Sequence, residues 1–137
     1  MSKELEEGTA LMLDFAKIAK IAETCKDVIP VAVQHADTQE VILVAYTNEF
    51  AMKKAFKERM LVLWSTSRKV LWEKGKTSGE TFDLIDARVN CEQNSLLYIV
   101  RPKRGAICHT KNQKDEPRNC YYRSIDMDTL HLTNLDP

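Results

Sequence analysis

The chain has 137 residues, with 20 Lys and Arg balanced by 20 Asp and Glu, so its formal net charge is zero. That length suits one domain with its own core and is too short for two. A composition of 44% hydrophobic and 29% charged residues excludes collagen-like repeats and global disorder, and the neutral balance argues against a general nucleic-acid surface.

From the N-terminus, Glu4, Glu6 and Glu7 stand where a leader would be positive, and Asp14 interrupts the apolar run that follows. The longest continuous apolar run, Val41 to Tyr46, is far short of a membrane span. A cytoplasmic location with no membrane partner is expected. Leu11, Phe15, Ile18 and Ala22 recur at helical spacing and predict one amphipathic packing helix over 3–26, with Cys25 packing at its end. Val31 to Gln34 and Val41 to Tyr46 read as a hairpin turning at 37–40. Asn48 is placed to cap a helix from Glu49 to Arg59. Leu61 to Ser65, Lys69 to Trp72, Phe82 to Asn90 and Leu96 to Val100 read as strands, with a turn at 92–95. Residues 111–119 lack periodicity and predict an exposed loop, and the segment after Arg123 reads as a polar tail. The fold class implied is α+β: a mixed, strand-rich single domain with an N-terminal helix, divided as 1–27, 28–125 and 126–137.

Cys91, Cys108 and Cys120 are the first residues with chemistry to offer. Three thiolates with a fourth position open is a catalytic zinc pattern, but no tight Cys-x-x-Cys pair is present, and buried thiols remain the alternative. His109 is a candidate general acid or base, or a further ligand. As a neighbour of Cys108 on an extended segment it points to the opposite face, which argues against a Cys–His nucleophilic pair. His35 and His131 read as structural and solvated. Asn90, Glu92 and Asn94 share one face about Cys91, an oxygen-rich set with a single carboxylate; on spacing alone a polar turn is the simpler reading. Trp64, Ser65, Ser67, Arg68, Trp72, Lys74, Thr77 and Ser78 fall in one polar stretch. Its cations, hydroxyls and glycines suit phosphate, and its indoles suit either a base or the core.

The stretch from Trp64 to Gly79 resembles the pattern W-S-R-S-R-x-x-L-W-x-K-G-x-T-S-G of the phosphoribosyl-AMP cyclohydrolase family, departing from it at Thr66. Ile29 to Thr38, running on to Ala45 to Glu49, is similar to the family's opening, with His35 where Asp is usual. Cys108-His109-Thr110 leading to Cys120-Tyr121-Tyr122-Arg123 resembles its C-H-T…C-[FY]-Y-R. The resemblance covers roughly 28–123. It implies hydrolysis of the N1–C6 bond of the adenine ring of N1-(5-phosphoribosyl)-AMP in histidine biosynthesis. It implies zinc held by Cys91, Cys108 and Cys120, and an obligate-type homodimer whose two subunits share the ligands. On chemical grounds His109 is then the proton carrier, Arg68, Lys74 and Arg123 hold phosphates, and Trp64 or Trp72 lies near the base. The family's D-C-D-x-D magnesium segment is here Asn90-Cys91-Glu92-Gln93-Asn94, so weaker magnesium binding, or none, is expected. The segment between Cys108 and Cys120 is longer than the family's. Alternatives are a related zinc hydrolase acting on another purine-like nucleotide, or a non-catalytic zinc- or nucleotide-binding homologue.

Overall fold

A computed structural model describes residues 3–73, 81–103, 112–116 and 118–137. Strand β1 (Ile29–His35) and strand β2 (Val41–Thr47) form the anticipated antiparallel hairpin. Its turn is fixed by His35, whose Nδ1 accepts the N–H groups of Asp37 (3.0 Å) and Thr38 (3.3 Å). Helix α3 (Glu49–Glu58) follows. The Asn48 side chain accepts the Ala51 N–H at 2.9 Å and caps it, and Arg59 closes it in the left-handed region at φ 56°. Ala51 and Ala55, one turn apart, are fully buried, so small side chains let the helix lie close on the sheet.

Strands β3 (Val62–Ser65), β4 (Val70–Glu73), β5 (Phe82–Val89) and β6 (Leu96–Pro102) complete a six-stranded sheet in the order β4-β3-β2-β1-β6-β5. All neighbours are antiparallel except β1 and β6, which run parallel. The sheet curls on itself: Met60 bridges to Asp83, the Leu61 N–H donates to the Phe82 carbonyl, and the Leu84 N–H donates to the Arg59 carbonyl. Val31, Val33, Leu63, Phe82, Tyr98 and Val100 fill the interior beneath α3. The Phe56 and Tyr98 rings meet there at 6.0 Å and 59°. The fold is thus α+β and strand-rich.

Three expectations are corrected. The N-terminal helix is two short ones, α1 (Lys3–Glu7) and α2 (Lys17–Thr24). Between them Thr9 and Ala10 are drawn out by the C-terminal segment: Ala10 bridges to His131, and the Thr9 carbonyl accepts the Leu132 N–H at 2.9 Å. The anticipated apolar stripe is also not the buried one. Phe15 is 90% exposed and Ile18 62%, whereas Ile21 packs inward and Cys25, as anticipated, is buried. Second, the polar tail is folded. Strands β7 (Arg123–Ile125) and β8 (Leu132–Asn134) pair through a turn in which the Asp126 carboxylate accepts the N–H groups of Asp128 and Thr129. Those two bonds hold its pKa below the ordinary carboxylate value. Third, Arg118, in the loop anticipated as exposed, is buried. Among the described residues no helix is long and apolar enough to cross a membrane.

Candidate functional site

Cys91 opens the turn after β5, and its thiol is exposed and outside any disulfide. Cys120 is also exposed, and its N–H donates to the Ile42 carbonyl on β2 at 3.2 Å. Cys108 and His109 lie outside the described residues, as do Lys74, Thr77 and Ser78. The register of the sheet separates the two described thiols. Val89 faces Leu96, Leu96 faces Val31, and Ile42 sits beside Leu43, which faces Val33. From the level of Cys91 to that of Ile42 is about four residues, or about 13 Å, along the strands. Strands β6 and β1 also intervene laterally. Two ligands of one zinc lie within about 4 Å of each other, so a single chain does not bring Cys91 to Cys120. Among the described residues no cluster of three or more His, Cys, Asp or Glu side chains is assembled within one chain. The donors themselves suit zinc: two exposed cysteines on segments anchored by backbone hydrogen bonds. Beside Cys120, partial burial raises the Tyr121 phenol above its ordinary pKa, and the neighbouring Cys120 adds to the shift.

Asn90 and Asn94 do come together, in the turn itself, but as a closed hydrogen-bond clasp, and Glu92 lies between them in sequence without a part in it. Asn90 Oδ1 accepts the backbone N–H groups of Asn94 (2.9 Å) and Ser95 (3.0 Å), which fixes which end of the amide is oxygen. Its Nδ2 then donates to Asn94 Oδ1 at 2.6 Å. Gln93, at φ 55°, donates its N–H to the Asn90 carbonyl and completes the reversal. Magnesium calls for anionic oxygens in an octahedral set. Here one amide oxygen is committed to two N–H groups, an amide N–H occupies the gap between the two side chains, and the exposed Glu92 alone carries charge. This donor set does not fit magnesium.

The β3–β4 hairpin turns through Ser65 to Lys69. Ser65 Oγ accepts the Arg68 N–H (3.3 Å) and lies 3.4 Å from Ser67 Oγ, the Ser65 carbonyl accepts the Lys69 N–H (2.7 Å), and Lys69 sits at φ 56°. Ser65 is therefore engaged in shaping the turn, while Ser67 and Arg68 are exposed on it. A cavity of about 390 Å³ between this turn and α2 is lined by Lys17, Lys20, Glu23, Thr24, Thr66 and Ser67 among others. Sequence reasoning did not connect α2 to this stretch, because nothing in the periodicity of α2 pointed to it. Trp64 pairs with Leu71, and Trp72 pairs with Leu63. Opposite residues of an antiparallel pair share a face, so the two indoles lie on opposite faces of the hairpin and do not sandwich one base. Trp64 packs against the core, and Trp72 is 37% exposed. Arg123 makes its described contacts with the N-terminal segment and Tyr122. Its Nη1 donates to the Gly8 carbonyl at 3.2 Å, and its guanidinium lies 5.4 Å from the Tyr122 ring centre.

Residues 43–122 match the model of a family described as phosphoribosyl-AMP cyclohydrolase. A protein of that name from Archaeoglobus fulgidus is 42% identical over 105 residues, covering 77% of this chain and 92% of that one. One from Cenarchaeum symbiosum is 35% identical over 125 residues, 91% of this chain and 99% of its own. A histidine biosynthesis bifunctional protein from Aquifex aeolicus is 40% identical over 98 residues, which is 72% of this chain and 45% of the longer relative.

Proposed function

The chain belongs to the phosphoribosyl-AMP cyclohydrolase family, and on that premise we propose that it opens the adenine ring of N1-(5-phosphoribosyl)-AMP in a zinc site shared between two copies. The reaction adds water across the N1–C6 bond: oxygen joins C6, the C6–N1 bond breaks, and N1 leaves with a proton. Alkylation at N1 makes the ring cationic and C6 electrophilic, so the demand on the protein is to deliver an activated water and to manage that proton. Zinc held by Cys91, Cys108 and Cys120 would supply a water whose pKa is lowered toward neutrality. His109, next to one of these thiols in sequence, carries the proton from the attacking water or to the departing N1. Ser67 and Arg68 on the β3–β4 turn, with Lys74, Thr77 and Ser78 after it, bind phosphate through hydroxyls and charge. Ser65 holds the turn that presents them. Trp72, the more exposed indole, is the better placed of the two to pack on a base.

The observation that carries the shared site is the register. It puts Cys91 just past the end of β5 and Cys120 beside β2, with β6 and β1 between them, and both residues are exposed and so open to a second copy. That separation supports reading the protein as a homodimer in which one zinc takes thiols from two copies. No step is assigned to magnesium at Asn90 and Asn94.

The test is ring opening of N1-(5-phosphoribosyl)-AMP, followed by absorbance, with zinc-loaded, chelator-stripped and reloaded protein. Turnover that is lost on stripping and returns with zinc supports the reading. Full turnover by stripped protein contradicts the zinc chemistry, and no turnover by dimeric zinc-loaded protein redirects the site to another nucleotide.

A further inference from the structure

We infer that the N-terminal segment Glu6 to Ala10 is a strap that holds the zinc-ligand candidate Cys120 in place, with Arg118 as the positioning residue. The inference rests on the reading of Cys120 as a zinc ligand. Arg118 is 3% exposed, and it is the one charged side chain buried among the described residues. Its Nη2 is paired with the Glu7 carboxylate from α1. Its Nη1 donates to the Asp136 carbonyl at 2.9 Å, and its guanidinium carbon lies over the Tyr122 ring, 3.7 Å from the ring centre. One guanidinium therefore joins three stretches that are remote in sequence.

The surrounding bonds repeat the same connection. The Tyr122 hydroxyl donates to the Glu6 carbonyl at 2.7 Å, Arg123 to the Gly8 carbonyl, and the Leu132 N–H to the Thr9 carbonyl. The Leu135 N–H donates to the Tyr122 carbonyl at 2.7 Å, and Asn112 Nδ2 to Asp136 Oδ1 at 2.9 Å. Cys120 sits two residues after Arg118 and two before Tyr122. Both of its flanks are clamped to the strap, while its own N–H is bonded to β2. It lies in no helix or strand, so these clamps act together with the bond to β2 in fixing Cys120 relative to the sheet. A metal ligand must be held to a few tenths of an ångström, and ligand support of this kind commonly changes metal affinity by about 10–100-fold. Removing one partner of a buried charge leaves the other unpaired, so the clamp opens as a unit.

The experiment uses the full chain and the variants Glu7→Gln, Tyr122→Phe, Arg118→Met and Cys120→Ser. Zinc affinity is read by competition with a chromogenic chelator, and the cobalt-substituted proteins report the thiolate-to-cobalt absorption. Apo-protein melting serves as the control for general destabilisation. Glu7→Gln is expected to weaken zinc about 10-fold and to lower the thiolate band, while the apo protein still melts cooperatively. Tyr122→Phe should act in the same direction by a smaller factor, and it keeps the test open if Arg118→Met does not fold. If Cys120→Ser abolishes zinc binding but Glu7→Gln and Tyr122→Phe leave affinity and the cobalt spectrum unchanged, the strap is refuted and the zinc reading stands. If Cys120→Ser leaves zinc affinity unchanged, the ligand assignment fails and the strap's role fails with it.

Discussion

Replacing Asn90 and Asn94 together by Asp should create a dependence on divalent cations that is not expected of the native chain. Asn90 Nδ2 and Asn94 Oδ1 are 2.6 Å apart, so the double variant sets two carboxylates face to face. With charge centres about 4 Å apart, their repulsion is about 4 kcal/mol at an effective dielectric constant of 20 and about 1 kcal/mol in water. The turn is exposed, which favours the lower part of that range, and the lost amide bond adds about 1 kcal/mol. The double variant should therefore lose about 2 kcal/mol, less if the turn opens to relieve it. For a domain of this size that is a Tm drop of about 8 °C. Either single substitution should be nearly neutral. In Asn94→Asp the Asn90 amide donates to a carboxylate, and in Asn90→Asp the Asn94 amide can turn its N–H inward. The signature is thus non-additivity in a double-mutant cycle, read from melting curves with and without millimolar magnesium. Magnesium should restore most of the lost stability to the double variant and leave the native protein unmoved. An additive cycle with no magnesium response, or a native protein stabilised by magnesium, would refute the argument that the clasp keeps the ion from these positions.

Two further predictions concern the sheet and helix that carry the site. Burial pushes the Tyr98 phenol up to about 12, and its hydroxyl lacks a well-formed hydrogen bond in the core although Thr47 lies close to it. Its folded pKa is raised, so the associated stability is intact below the unfolded value near 10 and is lost as pH rises toward 12. The loss amounts to about 2 kcal/mol. Tyr98→Phe should flatten that alkaline limb, measured as the chemical-denaturation midpoint against pH, at little cost at pH 7; an unchanged limb would place the titration elsewhere. Asn48→Ala removes the cap on α3 and should cost about 1–2 kcal/mol in urea unfolding, because the freed Ala51 N–H lies at a buried helix end. A change within a few tenths of a kcal/mol would show that the helix end is held by packing alone.

The elements with unmixed local signals were legible in the sequence. Asn48 before a short helical run, and the alternating β-branched residues of β1 and β2, each carry their structure within a few residues. What was not legible depended on remote partners. Leu11, Phe15, Ile18 and Ala22 have helical spacing, but the backbone of Gly8 to Ala10 bonds to the C-terminal segment instead of continuing a helix. The burial of Arg118 is invisible without Glu7 and Asp136, each more than fifteen residues away. The Asn90–Asn94 clasp had a local signal, because Asn side chains favour bonding to nearby backbone in turns. The three cysteines suggested zinc, but only the register, with β1 and β6 parallel, reveals that one chain keeps Cys91 and Cys120 apart.

The shared site is tested most directly by mixing two variants that are each inactive alone. Cys91→Ser and Cys120→Ser homodimers both lack a ligand in every site, whereas a mixed dimer contains one site with Cys91 and Cys120 both intact. After unfolding and refolding an equimolar mixture with zinc, activity should return to about a quarter of the native level, since half the dimers are mixed and each holds one complete site of two. Activity that stays at the level of the separate variants, with mixed dimers confirmed by mass, would contradict a zinc site built across two copies.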